Sequence, residues 1–341
     1  MRIALDAMGG DYAPATTVEG AVDALSEDKE LSVVLVGDDK KIRAELNNRK
    51  CDDSRISVQH ATQTVEMDES PMNALRRKKD SSIRVAVDLV KDGRADAMVS
   101  AGNSGVVMAT ALMVLGKLPG VERPAIAAVM PTLKDRFVLI DAGANVDCKP
   151  IHLYQFAIMG EAYAKLIFGI EKPTIGLLGI GEEDAKGNDL TREALKLIRD
   201  SNANFIGNVE GKDIFQGDAD VVVCDGFVGN IALKVSEGLA EAMAMMLKKE
   251  ILEKTRGKIG AYLLKGAFAN FKKRTDYAEY GGAPLLGISK PCIISHGRST
   301  SKAIKNAVMV AGAFHSKKII ETISRELNAG LSGRAAFAVK E

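Results

Sequence analysis

Four stretches of the chain join a short apolar run to a turn built from glycine, small residues and asparagine. Ser100 leads into Ala101-Gly102-Asn103-Ser104-Gly105, and Asp141 into Ala142-Gly143-Ala144-Asn145. Ile180 leads into Gly181-Glu182-Glu183-Asp184-Ala185-Lys186-Gly187-Asn188, and Asp225 into Gly226-Phe227-Val228-Gly229-Asn230. Glycine lets a backbone approach a ligand closely, and a helix N-terminus aims unpaired N–H groups and a partial positive charge at it. With asparagine donors and one lysine added, this chemistry suits an anion the size of phosphate. Asn103, Ser104, Gly105, Asn145, Asn188 and Asn230 are therefore the candidate substrate contacts, for a phosphate-sized anion, and Lys186 is the candidate catalytic cation beside them. Each turn alone reads as ordinary turn chemistry. The joint case rests on all four lying where the carboxyl ends of parallel strands share one edge of an α/β sheet.

A further group lies near the C-terminus, where Tyr280-Gly281-Gly282-Ala283-Pro284-Leu285-Leu286-Gly287 precedes Ile293-Ile294-Ser295-His296-Gly297-Arg298-Ser299. His296 follows an apolar run and precedes Gly-Arg-Ser, which makes it a better candidate catalytic histidine than His60, His152 or His315. No turn matches a Walker A loop or GxGxxG, and no histidine sits in HExxH. Glu182, Glu183 and Asp184 could hold a divalent cation only if further ligands converged on them. A solvated mixed-charge turn is the preferred reading, so no metal and no cofactor is expected. No serine or cysteine triad is recognisable.

Composition narrows the setting. The 341 residues carry a net charge of +1, which gives no overall field toward nucleic acid, so anion binding must be local. Hydrophobic residues make up 46%, enough for a buried core. Cys51, Cys148, Cys224 and Cys292 are far apart in sequence, which suits a reducing cytosol better than a disulfide or zinc framework. The opening Met1-Arg2-Ile3-Ala4-Leu5-Asp6 reads as a strand and not as a signal peptide. No apolar run approaches the ~20 residues of a membrane span.

These turns need a scaffold, and the apolar pattern supplies one. Strands are predicted at Ile3–Asp6, Ser32–Val36, Ile56–His60, Ala97–Ser100, Ala125–Met130, Phe137–Asp141, Thr174–Ile180, Asn204–Val209, Val221–Asp225 and Cys292–His296. Several are rich in Val and Ile with no polar face, the pattern of strands buried on both sides of a mainly parallel sheet. Helices fall between them. One carries Leu190, Ala194, Leu197 and Ile198 behind Asp189 as a cap; another follows Asn103, and a long one follows Asn230. Ile151 to Ile167 is apolar nearly all round, so it lies under the sheet or against a second subunit. The expectation is one three-layer α/β/α catalytic domain over 1–341. Residues 238–274 break the alternation and read as a projecting helical hairpin, turning near Gly257–Gly260.

Taken in order, the motifs resemble those of the bacterial phosphate acyltransferase (PlsX) family. The resemblance rests on Asp6-Ala7-Met8-Gly9-Gly10-Asp11, the four turns above, Tyr280 to Leu285 and His296-Gly297, and it runs from Met1 to about Ser301. It implies a fold related to isocitrate dehydrogenases and phosphate acetyltransferases, a homodimer, and an acyl carrier protein thioester as acyl donor. It also implies a cytoplasmic protein peripherally attached to the inner face of the membrane, alongside a downstream glycerol-3-phosphate acyltransferase in phospholipid synthesis. Phosphate, already nucleophilic at neutral pH, would attack the thioester directly, with no covalent enzyme intermediate. Rival readings are acetyl transfer from coenzyme A, a decarboxylating dehydrogenase and a non-catalytic phosphate sensor. In the hairpin, Leu263 and Leu264 interleave with Lys258, Lys272 and Lys273. These residues could meet anionic lipid, the acidic carrier protein, or the chain's own body or partner subunit.

Overall fold

The computed structural model describes residues 1–49, 51, 54–253, 255–275 and 279–338. The chain opens with β1 (Arg2–Asp6), α1 (Ala15–Glu27), β2 (Ser32–Gly37), α2 (Asp39–Asn48), β3 (Ile56–His60), α3 (Pro71–Arg77), α4 (Ser82–Lys91), β4 (Ala97–Ser100) and α5 (Ser104–Val114). It continues with β5 (Ala125–Pro131), β6 (Arg136–Ile140), α6 (Pro150–Phe168), β7 (Ile175–Gly179), α7 (Asp189–Arg199), β8 (Phe205–Glu210) and β9 (Val221–Val223). The last part holds α8 (Gly226–Glu253), α9 (Thr255–Leu263), α10 (Lys265–Thr275), β10 (Ala283–Leu286), β11 (Cys292–Ile294), α11 (Ser301–Ser316) and α12 (Ile319–Ala338).

All ten predicted strands are present within two residues at each end, and one sheet contains them in the order β3-β2-β1-β4-β11-β10-β5-β6-β9-β7-β8. Seven of its ladders are parallel; the three antiparallel ones join β11 to β10, β10 to β5 and β5 to β6. The sheet is thus mainly parallel, but its two halves point in opposite directions. This overturns the shared-edge expectation. β1, β4 and β11 end on one side of the molecule, and β6, β7 and β9 end on the other.

β10 was not predicted. Pro284 argues against a strand with neighbours on both sides. The structure accommodates it because β10 pairs with β11 at Ala283 and Pro284, and with β5 only at Leu285 and Leu286.

Helices cover both faces. One apolar core joins α1, α11, α6, α7 and α12 to strand residues such as Ile3, Leu35, Val138 and Val221. On the opposite face α4 and α5 pack over β4 and β11, and α8 contributes Ala232 and Leu233 over β6 and β9. Helix α6 is part of the core. Phe156, Tyr163 and ten further residues are buried, against β6, β9, α7 and α12. Full burial of a side chain of that size stabilises by roughly 1.5–3 kcal/mol, which is why this helix can be apolar all round.

Three helix boundaries differ from expectation. Asn188, and not Asp189, caps α7: its side chain accepts from the Thr191 N–H while the Thr191 hydroxyl accepts from the Asn188 N–H. Helix α8 starts at Gly226, so Asn230 lies inside it, because the Asp225 carboxylate takes up the N–H groups of its first turn. The predicted hairpin is three helices. Gly257 and Gly260 lie within α9, and a turn at Leu264 separates α9 from α10.

Candidate active site

The first predicted turn belongs to a set of loops gathered at the ends of β1, β4 and β11. Asp6 is fully buried; its carboxylate accepts from the Ser100 hydroxyl (2.6 Å) and the Met8 N–H (3.2 Å). Ser100 Oγ in turn accepts from the Gly102 N–H (3.0 Å). Burial pushes the Asp6 carboxyl up, and these hydrogen bonds pull the other way. Gly10, at φ +102°, sits between Ala101 and the Gly297 carbonyl, which lies 3.0 Å from where a Cβ would be; only glycine fits both constraints. The Asp11 N–H donates to that carbonyl (2.8 Å). The Asp6–Asp11, Ser100–Asn103 and His296–Arg298 segments are thereby one packed unit.

Asn103 caps α5, accepting from the Val106 N–H (3.1 Å), and its amide donates to the carbonyls of Met67 and Glu69 (both 2.9 Å). Its side chain is therefore committed to holding the turn. The N–H groups of Ser104 and Gly105 have no partner among the described residues, and the first turn of α5 carries no acidic side chain. This is an open, electropositive helix end.

His296 stands exposed beside it and accepts at Nδ1 from the Arg298 N–H (3.2 Å). Nδ1 is then the acceptor, so the neutral ring carries its proton on Nε2. The packed loops desolvate part of the otherwise exposed ring, and this partial burial, followed by the charges of Lys234 and Arg298, pushes its pKa below the usual histidine value, against Glu237 and Asp11. Lys234 and Glu237 come from α8, which crosses from the opposite side of the molecule.

On that opposite side lies the second turn. Asp141 accepts from five donors: the N–H groups of Ile126 (3.0 Å), Gly143 (3.1 Å), Ala144 (2.9 Å) and Asn145 (2.7 Å), and the Asn145 amide (2.8 Å). Burial still pushes its carboxyl up. The Asn145 amide also donates to the Pro124 carbonyl (2.7 Å), so that predicted contact is part of the scaffold. The start of α8 is closed as well. Gly226 N–H goes to the Asn145 carbonyl, Phe227 and Val228 N–H to the Asp225 carboxylate, and Gly229 N–H to the Asp225 carbonyl. Gly229 is pressed on the Asp141 carbonyl, which would lie 1.9 Å from a Cβ. Asn230 is exposed, its side chain against Gly143. Cysteines close to this turn offer no ready thiolate: burial, then Asp141, pushes Cys148 up to about 12 and Cys224 well above its ordinary value.

A family model described as "Fatty acid synthesis protein" matches residues 1–322. The phosphate acyltransferase of Thermodesulfovibrio yellowstonii is 57% identical over 328 residues, 96% of this chain and 94% of that protein. That of Geotalea uraniireducens is 54% identical with the same coverage of each. The chain belongs to the phosphate acyltransferase family. It is an acyltransferase by that membership. Among solved structures, a phosphotransacetylase from Streptococcus pyogenes superposes with a TM-score of 0.62 at 20% identity, covering 94% of each chain. The EutD phosphotransacetylase from Staphylococcus aureus gives 0.59 at 18% identity, covering 92% of this chain and 93% of that one. These likenesses show the fold.

Within this phosphate acyltransferase, the predicted site residues divide. Asn103, Ser104, Gly105 and His296 are on the first side. Asn145 and Asn230 are on the second, as is the loop of Lys186 and Asn188 after β7. Lys186 is exposed; its stem lies against Gly181, and its N–H donates to the Glu183 carbonyl. Asp184 is paired with Arg199. Among the described residues no three metal-ligating side chains cluster. At the far end of α8 to α10, Lys258, Leu263, Leu264 and Lys273 are exposed, and the side chain of Lys272 lies outside what is described. The sequence reading missed Asp6 and Asp141 as organising carboxylates, although both stand at strand ends before Ala and Gly. It also missed Lys234, four residues beyond Asn230 on one helix face.

Proposed function

We propose that the chain transfers a fatty acyl group from an acyl carrier protein thioester to inorganic phosphate, yielding an acyl phosphate for phosphatidic acid and phospholipid synthesis. The observation that carries this reading is the open first turn of α5 beside His296. Phosphate sits on the Ser104 and Gly105 N–H groups, with Arg298 and Lys234 supplying positive charge nearby. A phosphate oxygen attacks the thioester carbonyl, a C–O bond forms, and the tetrahedral oxyanion accepts a hydrogen bond from His296 Nε2–H. Collapse breaks the C–S bond and releases the pantetheine thiolate. Phosphate is itself the nucleophile, and the protonated Cys148 and Cys224 fit a path without an acyl-enzyme. Lys186, Asn188 and Asn230, on the far side, serve the donor. The test is to mix the protein with palmitoyl acyl carrier protein and phosphate and trap acyl phosphate as the hydroxamate. No hydroxamate, beside an active relative, removes the reading; faster use of acetyl coenzyme A replaces it with acetyl transfer.

The same reading includes a homodimer and contact with the inner membrane face near the downstream glycerol-3-phosphate acyltransferase. It is supported by an exposed stripe along α8 — Ile231, Val235, Leu239, Met243 and Met246 — that none of the described residues covers, and by an apolar tip. Tyr262 and Leu263 at that tip are 79% and 76% exposed, with Lys258 and Lys265 close by in sequence. No helix among the described residues is long and apolar enough to cross a membrane. Light scattering should give a dimer. Leu263→Glu with Leu264→Glu should abolish binding to anionic liposomes while sparing activity with soluble carrier protein; persistent binding would rule out the tip.

A further inference from the structure

At the far end of α5 from Asn103 lies a cavity of about 380 Å³ lined by Lys117, Arg123, Lys149, His152, Glu122 and Leu112, with Pro124 at its wall. Its charges are unequal. Glu122 faces His152 (3.1 Å), and the Lys117 ammonium reaches the Glu122 carbonyl (2.9 Å). Arg123 and Lys149 are exposed and have no ion-pair partner among the described residues. Three full positive charges thus meet one carboxylate, which leaves the cavity poised for an anion. The cavity is also fixed in place. The Pro124 carbonyl takes the Asn145 amide, the Glu122 N–H takes Gln155 Oε1 (2.8 Å), and the Gln155 amide reaches the Gly120 carbonyl.

One helix face joins this cavity to the phosphate turn. Ser104, Met108 and Leu112 recur every four residues on α5, and none is buried. At 1.5 Å per residue, Ser104 and Leu112 are ~12 Å apart along the axis. A pantetheine arm has, between its phosphorus and its sulfur, about as many chain bonds as four peptide residues, ~15 Å when extended. We infer that Lys117, Arg123 and Lys149 form a second anion site that holds the phosphodiester of the donor's pantetheine arm. The arm lies along α5 and delivers its thioester to the phosphate at Ser104 and Gly105. The inference rests on the functional reading above and adds the donor's point of entry.

Arg123→Gln with Lys149→Gln, both exposed and outside the reacting centre, tests it. Palmitoyl phosphopantetheine and palmitoyl pantetheine, which differ only in the phosphate, serve as donors. Wild type should prefer the phosphorylated donor in kcat/KM by roughly tenfold or more, the scale of a charge-assisted contact. The double variant should lose that preference, leave the unphosphorylated donor unchanged, and keep the KM for inorganic phosphate. Equal losses on both donors, or a preference that survives, overturn the inference. A raised KM for inorganic phosphate alone also overturns it, because the cavity would then hold the acceptor. Thermal unfolding confirms that the variant is folded, and Arg123→Glu provides a second variant with the same expected loss. If wild type makes no acyl phosphate from any donor, the functional reading falls separately. The site is then judged by calorimetric titration with phosphopantetheine, which should bind wild type at least tenfold more tightly than the double variant; equal binding rejects it.

Discussion

The turn after β1 and the turn after β6 begin alike, each with a buried aspartate followed by alanine and, within two further residues, glycine, yet the fold uses them in opposite ways. Asp6 reaches sideways, through Ser100, to the next loop in the sheet. It aligns the approach to α5 and leaves that helix's first N–H groups open. Asp141 turns inward. It gathers five donors from its own loop and β5, and the helix packed against that loop, α8, is closed by Asp225 and by contact with Asn145. A glycine-rich turn before a helix is thus not in itself an anion site. What decides is whether the N–H groups it exposes already have partners.

The sharpest way to break this comparison is to give both aspartates the same substitution. Asp141→Asn replaces an acceptor of five hydrogen bonds by a group that must point an NH₂ at some of those donors. Leaving two or more buried N–H groups unpaired should cost roughly 3 kcal/mol or more of stability in denaturant unfolding. Asp6→Asn should cost less, about 1–2 kcal/mol, because two of its four partners, Ser100 and Ser82, are hydroxyls that can turn to accept from an amide N–H, leaving the amide oxygen for the Met8 and Gly9 N–H groups. Equal losses would mean that the two turns are not different in kind.

Asn103 sharpens the comparison at the open turn. Asn103→Asp keeps an acceptor for the Val106 N–H but turns a carboxylate toward the Met67 and Glu69 carbonyls and toward incoming phosphate. It should raise the KM for phosphate roughly tenfold above that of Asn103→Ala. Equal values for the two variants would leave the turn a purely structural device. Lys186→Ala, on the donor side, should lower kcat/KM for the acyl donor by roughly tenfold with the fold intact. Unchanged kinetics would return Lys186 to the exposed mixed-charge turn in which it stands.

The smallest expected effect is one of pH. His296 has a lower pKa folded than its ordinary 6.5, so between the two values the unfolded chain binds more protons. Its contribution to stability is therefore present above 6.5 and is lost as pH falls through the folded value. Protonation also removes the Nδ1 acceptor that takes the Arg298 N–H. Activity should decline along an acid limb below the usual histidine range, and His296→Gln should abolish that limb. A limb unchanged in the variant would assign it to another group.

Much of this architecture was legible in local sequence. Runs such as Val33 to Val36 and Val221 to Val223 have no polar side to present, so they can only be strands covered on both faces. The site was harder to read because its logic is not local. The reversal of the sheet is made where β6 pairs antiparallel with β5. β10 is antiparallel to both its neighbours, so β5 still runs with β11, and the order that joins the two halves depends on this four-residue, proline-bearing strand, which no nearby pattern announces. Without that reversal, the turns after Ser100 and Asp141 belong on one edge; with it, they face away from each other. Asn188 and Asp189 are adjacent and both suited to capping, and only the reciprocal bonds with Thr191 choose between them. The apolar face of α8 could be seen in the sequence, but not the fact that Lys234 and Glu237 would come within electrostatic range of His296.

The most direct measurement is a crystal structure of the enzyme grown in inorganic phosphate, with the anion located in the density. The account predicts phosphate on the Ser104 and Gly105 N–H groups at the start of α5, within reach of His296. Phosphate bound instead at the Gly226 turn or beside Lys186, with the α5 turn empty, would contradict it.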